Sequence, residues 1–221
     1  MLRRLLPLLL ALVALPASAD AAVVEVAIVE KEGTEFGTPQ NVVGRLTGVY
    51  GAPLVGRKVV LEARRFPYRG KFKDLATATT GLDGRFAFEE QNFDRNHQIR
   101  AFAPTFGDRS PPESLYVFPR SNLTFKLVRR NVIRISQVYA TPKDVRLTKA
   151  TLFYVGPAVR KTAPLAKRVK TRRTRRGRFM ARATVRIPKA WQGRFRYASC
   201  FPYNAGLGDP KLGCPKRKYR F

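Results

Sequence analysis

Apolar and polar residues alternate with a period of two along most of the chain. Val24, Val26 and Ile28 alternate with Glu25, Ala27 and Val29, and Val42 to Thr47 and Val59 to Ala63 are short β-rich runs. Phe86-Ala87-Phe88, Ile99 to Phe102, Leu115 to Phe118 and Leu123 to Leu127 continue the series. Turn formers separate them: Gly51-Ala52-Pro53, Pro67 to Gly70, Asp83-Gly84 and Ser110-Pro111-Pro112. No stretch keeps apolar residues at helical spacing without a Gly or Pro break, so the pattern predicts short strands packed as a β-sandwich. The second half predicts further strands at Val132 to Ile135, Leu152 to Val155, Ala183 to Ile187 and Arg194 to Cys200.

The first residues break this pattern. Arg3 and Arg4 precede an apolar run, Leu5 to Leu15, and Ala17-Ser18-Ala19 offers small residues for cleavage. That order reads as a secretory signal peptide over residues 1–19, with a run too short to span a bilayer. The mature chain is expected to be exported, to the cell envelope or beyond, with no transmembrane segment.

Charge divides the remainder. The chain carries 43 Lys and Arg against 15 Asp and Glu, a formal net charge of +28. Residues 20–128 hold 15 basic and 13 acidic residues, whereas residues 129–221 hold 26 basic residues and two acids, Asp144 and Asp209. With 44% hydrophobic residues the chain has enough apolar material for a core, which excludes a disordered basic tail. These numbers place a near-neutral domain at 20–128 and a strongly basic one at 129–221.

Gly51-Ala52-Pro53-Leu54-Val55-Gly56, followed by Val59-Val60-Leu61 and then Thr80-Gly81-Leu82-Asp83-Gly84-Arg85-Phe86-Ala87-Phe88, forms a motif pair. It resembles that of secreted bacterial immunoglobulin-like or prealbumin-like sandwiches, of which the carboxypeptidase regulatory-like modules are an example. The likeness covers roughly residues 40–105. Asp83-Gly84 supplies a tight turn, Phe86 and Phe88 share one face, and Leu54 sits beneath the preceding turn. The resemblance implies an all-β fold and a spacer, linker or binding module. A weaker echo recurs in the second half: Leu165, Gly177-Arg178-Phe179 and Phe195-Arg196-Tyr197 follow the order of Leu75, Gly84-Arg85-Phe86 and Ile99-Arg100-Ala101. The expected architecture is therefore two tandem antiparallel sandwiches.

Cys200 and Cys214 are the only cysteines and enclose a loop rich in Gly and Pro. In an exported chain such a pair is expected to form a structural disulfide. No nucleophile-elbow, zincin or phosphate-loop motif occurs, and one His with two Cys cannot build a His-rich metal site. No cofactor, metal or catalytic residue is expected. His97 reads as a surface turn residue, and Glu89, Glu90 and Asp94 as a solvated turn. Asn122-Leu123-Thr124 is a glycosylation pattern that matters only in a eukaryotic secretory pathway, whereas the resemblance implies a bacterial chain, and Tyr219 and Phe221 are expected to close a final edge strand over Lys216 to Phe221.

The strongest chemical signal lies between Arg160 and Arg178, where ten of nineteen residues are basic. It reads as an exposed hairpin or long loop, with Lys170, Arg172, Arg173, Arg175, Arg176 and Arg178 as the candidate polyanion-binding residues. Guanidinium forks suit phosphate and carboxylate oxygens. The expected function is a non-enzymatic exported protein whose basic half contacts an anionic cell-wall polymer, an anionic surface or extracellular nucleic acid. The alternatives are a spacer whose arginines serve solubility, and an accessory module of an extracellular enzyme system.

Overall fold

The computed structural model describes residues 23–28, 34–157, 165–191, 195–200 and 206–209. In chain order the strands of the first half are β1 (Val23–Ile28), β2 (Thr34–Glu35), β3 (Gln40–Thr47), β4 (Lys58–Arg65), β5 (Lys73–Thr79), β6 (Arg85–Gln91), β7 (His97–Ala103), β8 (Asp108–Arg109), β9 (Glu113–Leu115) and β10 (Val117–Phe118). Those of the second half are β11 (Arg120–Arg129), β12 (Val132–Ala140), β13 (Ala150–Pro157), β14 (Leu165–Lys170), β15 (Arg172–Arg175), β16 (Arg178–Arg186) and β17 (Phe195–Cys200). The first half packs the sheet β1-β3-β6 against β5-β4-β7-β8, with β9 also on β7. The second packs β11-β12-β16-β15 against β14-β13-β17.

The two halves share one plan. Sheet β1-β3-β6 corresponds to β11-β12-β16, and β5-β4-β7 to β14-β13-β17, with β15 added to the second half. This division of strands between two antiparallel sheets is that of immunoglobulin-like and fibronectin-like sandwiches. The sequence echo acquires a structural meaning: Leu75 and Leu165 lie on equivalent strands β5 and β14, and Gly84 and Gly177 each immediately precede the equivalent strands β6 and β16. Gly84 (φ 75°) and Gly177 (φ 68°) are left-handed, and their carbonyls accept from the amides of Leu46 (2.8 Å) and Thr141 (3.0 Å), near the ends of β3 and β12. A Cβ at Gly84 would stand 2.6 Å from the Leu46 carbonyl oxygen, and one at Gly177 2.9 Å from that of Thr141.

The motif pair of the first half is held by Thr80. Its buried hydroxyl donates to the Leu54 carbonyl (2.6 Å) and accepts from the Arg57 amide (2.8 Å), so the two motif segments are bonded to each other. Phe86 and Phe88 are buried, and Leu54 packs against their core.

Three expectations need correction. Leu123 to Leu127, grouped by charge with the first half, belongs to β11, which pairs along its length with β12. The change in charge at residue 129 therefore falls inside a hairpin of the second half's sheet, because charge follows surface exposure and not sheet membership. Leu115 to Phe118 is two short strands: β9 pairs with β7, while β10 leaves to pair with β2 in parallel. The buried Asn96 side chain accepts from the Val117 amide (2.8 Å) at that switch. His97 opens β7, half-buried, with its ring edge-to-face against Phe93 and Nδ1 2.6 Å from the Arg95 carbonyl oxygen.

One core serves more than one half. Val42, Leu46, Leu61, Phe88 and Ile99 pack with Tyr139, Val145, Leu147, Phe179 and Leu207 of the second half. A separate core of Ile133, Ile135, Phe153, Val155, Ala183 and Trp191 fills the second sandwich. The segment 206–209 returns to the first half: the Asn96 amide and side chain donate to the carbonyls of Gly206 and Gly208 (both 2.8 Å), and the Gly208 amide donates to Val117 (2.8 Å). Leu207 is fully buried between them. This part of the loop that follows Cys200 therefore enters the core of the first half. Arg95 adds an ion pair to Asp144 at 2.6 Å, and its guanidinium holds the Asp144 carboxyl below the usual range.

Two outcomes follow for stability. Gly56→Ala, with φ 68° and open space around the added methyl, is expected to cost roughly 1–2 kcal/mol. Gly84→Ala and Gly177→Ala, which add a backbone clash, should each cost more in urea unfolding. Burial also pushes the His97 imidazole below its ordinary value, against the Arg95 carbonyl and Asp94, which favour the charged ring. Its folded pKa lies below the unfolded one of about 6.5, so this contribution is complete above about pH 6.5 and fades as pH falls toward the folded value. The urea midpoint should therefore drop between about pH 7 and about pH 5, and less steeply in His97→Gln.

Candidate polyanion interface

The basic segment is placed by one buried threonine. Between β14 and β15 the chain crosses from one sheet of the second half to the other at Thr171. The Thr171 hydroxyl donates to the Lys149 carbonyl (3.0 Å) and accepts from Thr151 (3.1 Å), which in turn accepts from the Tyr139 hydroxyl (2.8 Å). Thr151 and Thr171 each give one bond and take one, and Tyr139 gives one, so three buried hydroxyls are bonded in series. Burial pushes the Tyr139 hydroxyl up to about 12, so it stays a donor. Thr171 is buried while its neighbours Lys170 and Arg172 are exposed.

From that pin the chain runs out along the sheet edge. Arg172 to Arg175 form β15, Arg176 and Gly177 make the turn, and β16 returns. The register fixes directions. On β16, Phe179, Ala181, Ala183 and Val185 are buried, so Arg178, Met180, Arg182, Thr184 and Arg186 face out. Arg172 stands opposite Met180 and Arg175 opposite Arg178, so both share the outward face. Across β12, Arg134 stands opposite Lys126 and Thr184, Ala140 opposite Arg120 and Arg178, and Val132 opposite Arg129 and Arg186.

The outward face of β11-β12-β16-β15 thus carries nine cations: Arg120, Lys126, Arg129, Arg134, Arg172, Arg175, Arg178, Arg182 and Arg186. Every one of these side chains is exposed. Among the described residues none of the nine joins an ion pair; Asp144, the acid nearest in sequence to this sheet, is bound to Arg95 and Arg65 of the first half. Like charges sit directly opposite at Arg175 and Arg178, an arrangement that destabilises a sheet.

Of the six residues singled out from sequence, Arg172, Arg175 and Arg178 lie on this face. Lys170 ends a strand of the opposing sheet but, with Arg172, Arg173, Met180 and Arg182, lines an open hollow of about 460 Å³ at the edge. Arg173 donates to the Arg175 carbonyl (3.4 Å), and Arg176 occupies the turn; both are exposed beside the face and outside its rows. Sequence reasoning missed six cations of the face. For Arg182 and Arg186 the signal was period-two alternation, Arg178-x-Met180-x-Arg182-x-Thr184-x-Arg186, which density of charge alone does not capture; the other four join the face through strand register.

Other candidates are used otherwise or fall outside. Asp94 is ion-paired with Arg65, and Glu89 and Glu90 are exposed. Among the described residues no three His, Cys, Asp or Glu side chains gather closely enough for a metal, and no helix is long and apolar enough to cross a membrane. Residues 1–19, Cys214 and the segment Lys216 to Phe221 lie outside the described residues; Cys200 ends β17, opposite Leu152.

No known protein family and no curated protein matches the chain. Solved structures with similarity include Escherichia coli alpha-2-macroglobulin in its native conformation (12% identity, TM-score 0.35, covering 82% of this chain and 13% of that one). A tetra-tandem repeat from the extending region of a large adhesion protein matches at 14% identity and TM-score 0.33, over 82% of this chain and 48% of that one. The FN1–FN3 domains of chicken CNTN1 match at 12% identity and TM-score 0.28, over 82% and 60%. The chain spans less than two thirds of each. At these values the likeness adds nothing to the strand order, on which the immunoglobulin-like fold rests.

The hydroxyl chain generates a test. Thr171→Val keeps shape but leaves the Thr151 hydroxyl and the Lys149 carbonyl without their partner, at a cost of about 1–3 kcal/mol. Thr174→Val, which removes an exposed bond to the Arg178 carbonyl (3.3 Å), should change the urea midpoint far less.

Proposed function

We propose that this chain is an exported, non-enzymatic binding protein whose second sandwich holds anionic polymers on the outward face of β11-β12-β16-β15. The observation that carries the reading is the gathering of nine exposed cations, without an acidic partner among the described residues, on one face of one sheet. A cluster serving solubility alone has no reason to align on one face and to accept cross-strand repulsion. The order Arg3-Arg4, apolar run and Ala17-Ser18-Ala19 supports export, and export supports a Cys200–Cys214 disulfide closing the loop that contains Leu207. The partner in this reading is a wall polymer, an anionic surface or extracellular nucleic acid, and contact is driven by counterion release. A spacer role is the alternative, and the core shared between the two halves suits it, since it stiffens the tandem.

Binding of the intact chain to single-stranded DNA, used as a simple phosphate polymer, should weaken steeply with salt. Replacing Arg134, Arg182 and Arg186 with Gln is expected to shallow the plot of log K against log salt by about 2 units, at roughly 0.7 per lost contact. Replacing three exposed lysines of the first half, Lys58, Lys71 and Lys73, should leave the slope unchanged. Equal effects of the two triple variants, or no binding at low salt, would favour the spacer.

A further inference from the structure

The basic face is not uniform. Its cations lie in two flanks, on β11 to one side and on β16 and β15 to the other, while β12 between them presents Ala140, Val138 and Ser136 before it reaches Arg134. Neighbouring strands lie about 4.8 Å apart, so the backbones of β11 and β16 are separated by about 10 Å across a floor of small side chains. The floor deepens at one end into an open hollow of about 780 Å³. Arg120 and Arg178 stand on its two sides, level with Ala140. Asn122 lines it from β11, and Glu35, Phe36 and Gly37 close it from the first half.

This lining selects by chemistry. A polymer whose only polar groups are phosphates or sulfates gains from the two arginines and is repelled by Glu35, which joins no ion pair among the described residues. A sugar ring has hydroxyls to donate to the Glu35 carboxylate and to share with the Asn122 amide, and a C–H face to lay on the half-buried Phe36. A carboxylate on that sugar would meet the guanidinium forks of Arg120 or Arg178. A run of nucleobases finds one ring, Phe36, and no aromatic among the outward residues of β11, β12, β16 and β15, whereas tight single-strand binders stack successive bases on several platforms.

Resting on the reading above, we infer that the polymer held on this face is an acidic polysaccharide running along β12, with one sugar unit seated in the hollow between Glu35–Gly37 and Arg120–Arg178. The flanking cations supply affinity of the salt-sensitive kind. The hollow supplies the preference for a sugar.

The test compares two polymers of equal charge number at one ionic strength, by calorimetric titration of the intact chain: polygalacturonate fragments and linear polyphosphate. Polygalacturonate should bind at least about fivefold more tightly, the size of one net hydrogen bond near 1 kcal/mol. The double variant Glu35→Gln, Asn122→Ala alters exposed side chains only. It should weaken polygalacturonate binding by about fivefold or more, and leave polyphosphate binding unchanged or tighter. Equal affinity for the two polymers, or an unaltered preference in the variant, overturns the inference while the polyanion reading stands. Binding of neither polymer at low salt overturns both.

Discussion

Everything proposed for the basic face depends on a buried chain of three hydroxyls. Tyr139, Thr151 and Thr171 link β12, β13 and the crossing between β14 and β15 in one directional series that ends on the Lys149 carbonyl. The sequence around Thr171 is too polar to find its own place: Lys170, Arg172, Arg173, Arg175 and Arg176 have no apolar face to bury. A single short side chain that can enter the interior decides where the segment turns. Because Thr171 points in, Arg172 begins an edge strand in register with Met180, and Arg175 is carried to the position opposite Arg178. An extended loop with the same composition would let its arginines separate; the pinned strand forces them into rows.

Holding like charges in rows costs stability, and the opposite side of the same strands offsets it. β12 and β16 alternate strictly, with Ile133, Ile135, Ala181, Ala183 and Val185 turned into a core completed by Phe153 and Val155. The inner face thus fixes the outer one, since a one-residue slip of register would put arginines inside. The repulsion on the outside is relieved by salt or by a polyanion, and the gain on binding includes relief of a strain that the fold maintains. The first half contrasts with this. There Glu62 is buried against Arg100 at 2.5 Å and Arg109 at 3.5 Å, and Arg64 and Arg100 stack on Phe72, so these three arginines are already answered from within the chain.

The fold was legible in the residues because period-two alternation and Gly-containing turns are local signals. The likeness of Gly84-Arg85-Phe86 to Gly177-Arg178-Phe179 was real at the level of geometry: both glycines are left-handed and both accept the same amide bond near the end of the second main strand. What could not be read was pairing across distance. Nothing local in Leu123-Thr124-Phe125 says that it pairs with Ser136 and Ile135, so charge, a surface property, was a poor guide to which sheet it joins. The candidate site was half legible for the same reason. A run such as Arg172 to Arg178 is visible as composition, but Arg120, Lys126 and Arg134 join it only through strand register, and the hollow beside Glu35 only through the parallel pairing of β2 with β10.

That pairing makes the tandem more than two sandwiches in line. Phe118, the last residue of β10, accepts the Phe36 amide at 2.7 Å, and Arg120 begins β11 two positions later, so the first half's Glu35–Gly37 segment is tied directly beside the start of the basic sheet. On the other side of the junction Asn96 binds Val117, the first residue of β10, and clasps the returning Gly206–Gly208 segment, with Leu207 buried beneath. The hollow is therefore framed by both halves and braced by an asparagine bonded through both its side-chain oxygen and its side-chain nitrogen. A basic sheet alone would attract any polyanion. Joined through a shared core to a neighbour that contributes a carboxylate and an aromatic ring, it acquires, in the proposed reading, a place where one kind of repeating unit is distinguished from another.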